Sequence, residues 1–242
     1  MLAAGGGSQI DFLNPTNGTL VRTLTSSARD VDTIAFSPDG TVLASGGGFF
    51  SPELSLWRTI DGTLLRNLMG HTSNVTAVAF SPDGATLASA SVDMTTRLWR
   101  VPGGALLKTL TNHTARVNAV AFSPDGILLA TGSSDRTVRL WRASDGTPVT
   151  TLGGHSGEVK AVAFSNDGQI LLSGCGATAY PPVAGQEIRV WRVADGALLQ
   201  AFNRETVSVN AIAISSDGRR FAYGRDDATV VMAHAPLWIA RT

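Results

Sequence analysis

The chain lacks the cysteines of a disulfide-bonded protein and the net basic charge of a nucleic-acid-binding protein. It has one cysteine, Cys175, in 242 residues, which excludes an internal disulfide and fits a reducing compartment. Lysine plus arginine and aspartate plus glutamate both number 19, so the formal net charge is zero. Proteins that bind nucleic acid or acidic membranes need a basic surface. We therefore expect a cytoplasmic protein with no nucleic-acid partner and no membrane partner.

Signals for membrane insertion and for catalysis are also missing. No run of about 18 apolar residues indicates a membrane span, and the start, MLAAGGGSQID, lacks the basic and apolar regions of a signal peptide. No stretch has the length and period of an amphipathic helix. There is no phosphate loop, no Gly-x-Ser-x-Gly motif and no evident base for Cys175. The sequence therefore predicts a β protein that is not an enzyme and has no cofactor.

What the chain does have is an internal repeat of a short turn. FSPDG occurs at 36–40, 80–84 and 122–126, and the variants FSNDG and ISSDG occur at 164–168 and 214–218. The successive copies start 44, 42, 42 and 50 residues apart. A second landmark has nearly the same period, because Trp57, Trp99, Trp141 and Trp191 are 42, 42 and 50 residues apart and Ala233 takes the next Trp place. Two independent landmarks with one period indicate repeated structural units.

One unit reads as four strands, which we name a to d. Residues 75–80 form strand a, 86–89 strand b, 95–99 strand c and 105–110 strand d. Ser-Pro-Asp-Gly at 81–84 has the residue order of a type I turn between strands a and b. Strand a is nearly all apolar, which predicts burial on both of its faces. Four-stranded sheets stacked around an axis, with strand a innermost, satisfy this pattern and form a β-propeller.

The copies of strand a set the number of blades. They lie at 31–36, 75–80, 117–122, 159–164 and 209–214, whereas the chain opens in the middle of a blade, at its strand b. The sequence predicts an all-β, six-bladed propeller with five full blades and one incomplete N-terminal blade. A fragment of a seven-bladed propeller is the alternative. We expect a single domain, 1–242, with repeats at about 1–24 (partial), 31–68, 75–110, 117–152, 159–202 and 209–240.

The repeat resembles the WD-repeat family. Its marks are Gly70-His71, Asn112-His113 and Gly154-His155, together with the Ser-Pro-Asp-Gly turns and the terminal Trp of strand c. Each of those Trp residues is followed by Arg rather than Asp, which resembles bacterial-type WD repeats. The resemblance implies a propeller fold and an interaction function.

The family's hydrogen-bonded tetrad of His, Ser or Thr, Asp and Trp is implied at two places. One set is His71, Ser89, Asp93 and Trp99, and the other is His113, Thr131, Asp135 and Trp141. A third set has His155, Ser173 and Trp191 but Gly185 at the Asp place. Two further sets are more degenerate, with Ser27 and Ser51 at the His and Asp places of one, and Glu205, Tyr223, Asp227 and Ala233 in the other. Each of these histidines lies in a different blade, so they do not come together around one metal ion, and no metal site is expected.

Candidate partner-binding residues flank strand a at the end where the d–a and b–c connections meet. Eight of these candidates lie beside strand a in the repeats, and their residue types differ from blade to blade: Asp32, Asn74, Thr76, Arg116, Asn118, Glu158, Lys160 and Asn210. Two b–c connections are longer than the others and carry aromatic residues, Phe49 and Phe50 in one and Tyr180 in the other. Exposed aromatics on loops are candidate binding residues. The alternative is that these three side chains pack on neighbouring loops.

These patterns favour a non-catalytic scaffold for protein–protein interaction that presents one loop-rich face to a protein or peptide. A regulatory or sensor module of a larger signalling protein is the first alternative. A small-ligand or hydrolytic site in the central channel is the second. An unclosed blade would also leave apolar faces exposed, which predicts self-association.

Overall fold

A computed structural model of the chain describes residues 1–26, 30–48, 52–176, 186–205, 207–215 and 217–234, with the backbone alone at residues 186, 203–205 and 234. Within these ranges the chain forms antiparallel β-sheets and contains no helix. The all-β prediction is therefore confirmed. Contacts divide the chain into two compact units, residues 1–112 and residues 113–242.

The first unit contains three sheets, each built from strands that follow one another in the chain. Blade 1 consists of β1 (Leu2–Gly6), β2 (Gln9–Leu13) and β3 (Leu20–Thr25). Blade 2 consists of β4 (Val31–Phe36), β5 (Val42–Gly47), β6 (Glu53–Arg58) and β7 (Leu64–Asn67). Blade 3 consists of β8 (Val75–Phe80), β9 (Thr86–Ser91), β10 (Thr96–Arg100) and β11 (Leu106–Leu110). Blade 1 begins with strand b, as the sequence indicates.

The second unit contains three sheets of the same design. Blade 4 consists of β12 (Val117–Phe122), β13 (Leu128–Ser133), β14 (Val138–Arg142) and β15 (Pro148–Leu152). Blade 5 consists of β16 (Glu158–Phe164), β17 (Ile170–Gly176), β18 (Gln186–Arg192) and β19 (Leu198–Glu205). Blade 6 consists of β20 (Val209–Ile214), β21 (Arg220–Arg225) and β22 (Val230–His234). The described residues thus form six antiparallel sheets with the strand order of propeller blades.

The repeated turn between strands a and b is closed by its own side chains. In blade 3 the Ser81 hydroxyl donates to Asp83 at 2.5 Å, and the Asp83 carboxylate accepts the Ala85 N–H at 2.9 Å. Gly84 has φ +70°, a backbone conformation that glycine adopts without steric cost. The hydrogen bond from Ser81 is the main cause that holds the pKa of Asp83 below its ordinary value. The recurring aspartates are therefore turn residues.

Strand a is less buried than its apolar sequence predicts, so that expectation of burial on both faces is wrong. In β8 only Val75 and Val78 are buried, and the other four residues are half-buried. All seven residues of β17, a strand b, are buried. The reason is position, because strand a lies at the edge of each four-stranded sheet and has a hydrogen-bonded neighbour on one side only.

Each blade packs its face on the next blade within a unit. We call the face turned toward the next blade in chain order the forward face, and the opposite face the rear face. In the second unit, Val138 and Leu140 on the forward face of blade 4 share a core with Leu171 and Trp191 on the rear face of blade 5. The same contact recurs between blades 5 and 6, between blades 1 and 2 and between blades 2 and 3. Burial of these apolar faces is the main stabilising contribution available to the fold.

A glycine on strand b allows this close approach. An added Cβ at Gly132 of blade 4 would lie 2.7 Å from Val159 Cγ1 of blade 5, which is too close for a real contact. Gly5, Gly46 and Gly174 are equally confined by the first valine of the next blade. Gly224 holds the same place in blade 6, but among the described residues its added Cβ would meet only Ala211 of its own sheet, at 3.7 Å.

We expect Gly132→Ala to lower the free energy of unfolding by about 1–3 kcal/mol, because the new methyl group overpacks the contact between blades. Gly224→Ala is the matched control and should be neutral or slightly stabilising, because alanine reduces the entropy of the unfolded chain. Urea denaturation of both variants measures the difference. Equal losses in the two variants would contradict this account of the contact.

Candidate functional site

Four side chains of blade 3 form a buried chain of hydrogen bonds. Trp99 Nε1 donates to Ser89 Oγ at 2.8 Å, and Ser89 Oγ lies 2.8 Å from His71 Nε2. His71 Nδ1 lies 2.8 Å from Asp93 Oδ2. The same Asp93 oxygen accepts the Thr72 N–H at 3.0 Å. The network therefore ties strands b and c to the loop that precedes strand a.

Blade 4 repeats this arrangement almost atom for atom. Trp141 Nε1 donates to Thr131 Oγ1 at 2.9 Å, which lies 2.8 Å from His113 Nε2, and His113 Nδ1 lies 2.7 Å from Asp135 Oδ2. The Asp135 carboxylate also accepts the Thr114 N–H. The two sets that the sequence predicts as complete are thus each brought together by the fold.

The direction of these bonds settles the histidine tautomer. The carboxylate can only accept, so Nδ1 carries the hydrogen and donates it. In a neutral ring Nε2 is then an acceptor, and it accepts the hydrogen of the hydroxyl group, whose oxygen accepts the indole N–H. Burial acts to raise the pKa of Asp93, but hydrogen bonds from His71 and Thr95 outweigh it, so the pKa lies well below the ordinary value. Burial lowers the pKa of His113 despite the hydrogen bond to Asp135.

Blade 5 has an incomplete set with a substitute that the sequence pattern did not predict. Trp191 Nε1 donates to Ser173 Oγ at 2.7 Å, and Ser173 Oγ lies 2.8 Å from His155 Nε2. Gly185, at the Asp place, lies outside the described residues. Glu187 instead accepts the Ser156 N–H at 3.1 Å. In the complete tetrads the aspartate accepts the equivalent N–H, that of the residue after the histidine. Glu187 is 3% exposed and forms an ion pair with Arg189 at 2.8 Å.

The substitute restores only one of the two contacts of the missing aspartate. Within the described residues, His155 Nδ1 is buried without a hydrogen-bond partner. Burial, followed by the nearby positive charge of Arg189, lowers the pKa of His155 to about 4. The sequence does contain a signal for Glu187. The two blades with longer b–c connections have a glutamate four residues before the Trp, Glu53 and Glu187. The two blades with complete tetrads have Thr95 and Thr137 at that position.

The degenerate sets keep only part of the network. In blade 2, Trp57 Nε1 donates to Ser45 Oγ at 2.8 Å, and Ser27 and Ser51 lie outside the described residues. In blade 6, Tyr223 is buried, Asp227 accepts the Thr229 N–H within its own turn, and Ala233 has no polar side chain to offer. The side chain of Glu205 lies outside the described residues.

The candidate partner residues of the second unit form a polar network across neighbouring blades. Arg116 pairs with Glu158 at 2.8 Å. Asn118 Nδ2 donates to the Val159 carbonyl at 3.0 Å. Lys160 Nζ donates to Asn210 Oδ1 at 3.2 Å and lies 3.8 Å from Asp226. The five residues predicted in this unit therefore form two polar clusters that strand β16 of blade 5 joins, and we call the two clusters together the upper strip.

The candidates of the first unit are less connected. Asp32 is exposed, and Asn74 and Thr76 are half-buried. The Asn74 amide oxygen is buried and finds no partner among the residues that the structure describes. Phe49, Phe50 and Tyr180 lie outside the described residues.

The arginines after Trp57, Trp141 and Trp191 lie at the opposite end of the blades and pair locally. Arg58 with Asp61 and Arg192 with Asp195 are both 2.9 Å apart, and Arg142 lies 3.6 Å from Asp145. Exposed pairs of this kind contribute little to stability. Cys175 is a buried free thiol 3.7 Å from the Ser156 hydroxyl.

The described part of the chain shows neither a metal-binding cluster nor a membrane-spanning helix. It contains no group of three or more His, Cys, Asp or Glu side chains arranged to hold a metal ion. It also contains no helix that is long and apolar enough to cross a membrane.

Comparison with known proteins identifies one family. The family model described as "WD domain, G-beta repeat" matches residues 18–49, 62–100, 104–142 and 146–192, which is more than half of the chain. These ranges include both complete tetrads. Proteins with such repeats generally mediate protein–protein interactions and are typically not enzymes. A search of the curated proteins found no match.

We expect stability to fall as the pH drops from about 6.5 toward 4. The pKa of His155 is lowered to about 4, so the unfolded chain binds a proton in this window before the folded chain does. This effect amounts to about 2 kcal/mol of unfolding free energy between pH 7 and pH 5. Urea denaturation at both pH values should show a smaller loss for His155→Asn than for wild type. An identical loss would contradict the assignment.

We expect Glu187→Ala to lower the free energy of unfolding by about 3 kcal/mol, because it removes the ion-pair partner of Arg189, whose side chain is only 15% exposed, and the acceptor of the Ser156 N–H. Glu158→Ala removes a carboxylate from the pair with Arg116, a half-exposed side chain, and serves as the control, with a loss below about 1 kcal/mol. Chemical denaturation compares the two variants. If Glu187→Ala were no more destabilising than Glu158→Ala, Glu187 would not replace the tetrad aspartate.

Proposed function

The chain belongs to the WD-repeat family, and from that premise we propose that it is a non-catalytic scaffold that binds a protein or peptide through one loop-rich face. The observation that carries the proposal is the upper strip. It joins different side chains from successive blades on a backbone frame that repeats. A fixed frame with variable side chains is what selective recognition of a partner requires.

The geometry of the upper strip supports recognition because its polar groups are held in place before a partner arrives. Arg116 is held by Glu158 and by the Ser134 hydroxyl, at 2.8 Å and 3.0 Å, yet its side chain remains 47% exposed. Lys160 is held in turn by Asn210 and Asp226. Side chains that are already ordered lose less conformational entropy on binding.

The charge of the strip supports a protein or peptide partner over a nucleic acid. Its two cations, Arg116 and Lys160, are each paired with a carboxylate, so the strip has no net basic charge. The zero net charge of the chain supports the same assignment. Its single cysteine supports a cytoplasmic location. Neither alternative, a sensor module or a hydrolytic channel site, is favoured by a specific contact among the described residues.

Capture of partners by variants of the chain tests the proposal. Arg116→Ala/Lys160→Ala changes the upper strip, whereas Arg142→Ala/Arg192→Ala removes two arginines at the opposite end of blades 4 and 5. A third variant, Phe49→Ala/Phe50→Ala/Tyr180→Ala, tests the two longer loops. We expect cross-linked partners to be lost from the first or third variant and retained by the second, with unchanged melting temperatures. An identical set of partners for all three variants would refute the proposal.

A further inference from the structure

The forward face of blade 6 is exposed at positions that are buried in every other blade. The positions concerned are the strand-c residues three and one before the Trp place, which we call the forward pair. In blades 1 to 5 the forward pair is at most 2% exposed. Its members there are Ile10 and Phe12, Leu54 and Leu56, Thr96 and Leu98, Val138 and Leu140, and Ile188 and Val190. In blade 6 the pair is Val230 and Met232, which are 72% and 66% exposed.

The rest of this face in blade 6 is also open and apolar. Ala211 and Ala213 of strand a are exposed, whereas Ala119 and Ala161, the counterparts of Ala211 in blades 4 and 5, are buried. Among the described residues an added Cβ at Gly224 would meet Ala211 alone, whereas the glycine at this place in blades 1, 2, 4 and 5 touches a valine of the next blade. The described part of this forward face therefore lacks the cover that blades 4 and 5 receive.

The first unit has an exposed face of the complementary kind. On the rear face of a blade, the second residue of strand b is normally buried, and Leu43, Leu87, Leu129 and Leu171 are all 0% exposed. Leu2 holds this place in blade 1 and is 52% exposed. Leu13, at the Trp place of the same blade, is half-buried. Blade 1 thus presents Leu2 and Leu13 on its rear face, beside Asp11, whose carboxylate accepts the Thr23 hydroxyl at 2.6 Å.

These two faces match a contact that the chain already makes four times. In each case the strand-b residue and the Trp-place residue of a rear face pack on the forward pair of the preceding blade. Phe221 of blade 6, for example, packs with Ile188 and Val190 of blade 5. Leu2 and Leu13 would contact Val230 and Met232 in the same way. Contiguous apolar surface of this kind is typical of an interaction site.

We propose that the forward face of blade 6 binds the rear face of blade 1 of a second copy of this chain. The sequence predicts self-association through an open blade, and the exposed residues identify the two surfaces that make it. The contact is head-to-tail because the surfaces are different, so copies assemble into closed rings or open chains rather than through one shared patch. The proposal is independent of the upper strip and of any partner bound there.

Mass measurements on three variants of the full chain test the inference. Val230→Glu/Met232→Glu places charges on the forward face, and Leu2→Glu places one on the rear face. Val149→Glu is the control, because Val149 is also an apolar strand residue and is 51% exposed on β15. In light scattering at increasing micromolar concentration, we expect wild type and Val149→Glu to reach at least twice the mass of one chain. We expect the two face variants to stay monomeric and to share the melting temperature of dilute wild type, because association raises the melting temperature only of chains that associate.

Mixing the two face variants separates a head-to-tail contact from other association. The Leu2→Glu protein keeps an intact forward face, and the Val230→Glu/Met232→Glu protein keeps an intact rear face. An equimolar mixture should therefore form a one-to-one dimer that grows no further. A wild-type chain that stays monomeric at every concentration would overturn the proposal, as would a mixture that stays monomeric. A loss of melting temperature in the forward-face variant alone would also overturn it, since it would indicate that the same chain covers this face.

Discussion

The contact between the rear face of one blade and the forward face of the preceding blade supports the rest of this structure. A sheet of three or four short strands has two apolar faces, and neither is stable in water. Within each unit the large side chains of one rear face, such as Leu171 and Trp191, fill the space above Val138 and Leu140. The glycine on strand b sets how close the sheets come, because Val159 occupies the volume that a Cβ would need at Gly132. A blade therefore depends on its neighbours for stability.

The tetrads add direction and rigidity to that packing. Each begins at an indole N–H that can only donate and ends at a carboxylate that can only accept, so every intermediate group has one orientation. Blade 5 shows the effect of replacing the last member. Glu187 reaches the backbone of Ser156 from a different strand position, but His155 Nδ1 stays unpaired among the described residues and the pKa of this histidine falls to about 4. Among the three blades that have a tetrad histidine, the network is therefore weakest in blade 5, and the upper strip also crosses this blade.

Local features of the sequence predicted much of the fold. The turn at 81–84 has the residues that close it, and its period indicates where each strand begins. The burial of strand a was overestimated, because an apolar run does not show whether a strand lies at the edge of its sheet or inside it. Glu187 was missed for a related reason. The repeat pattern has an aspartate at one fixed position, whereas the backbone N–H that needs an acceptor is satisfied by any carboxylate within hydrogen-bonding distance.

By itself the sequence determined the repeat, the strand content, the WD-repeat family and the side chains available for each tetrad, because all of these depend on spacing within one unit. Only the tertiary structure decided how those side chains are used. Arg116 and Lys160 are paired across blades rather than free, and Val230 and Met232 are exposed although their counterparts in every other blade are buried. The physical reason is that burial and pairing depend on which surface lies opposite a residue. That surface comes from another repeat, about 42 residues away in the chain.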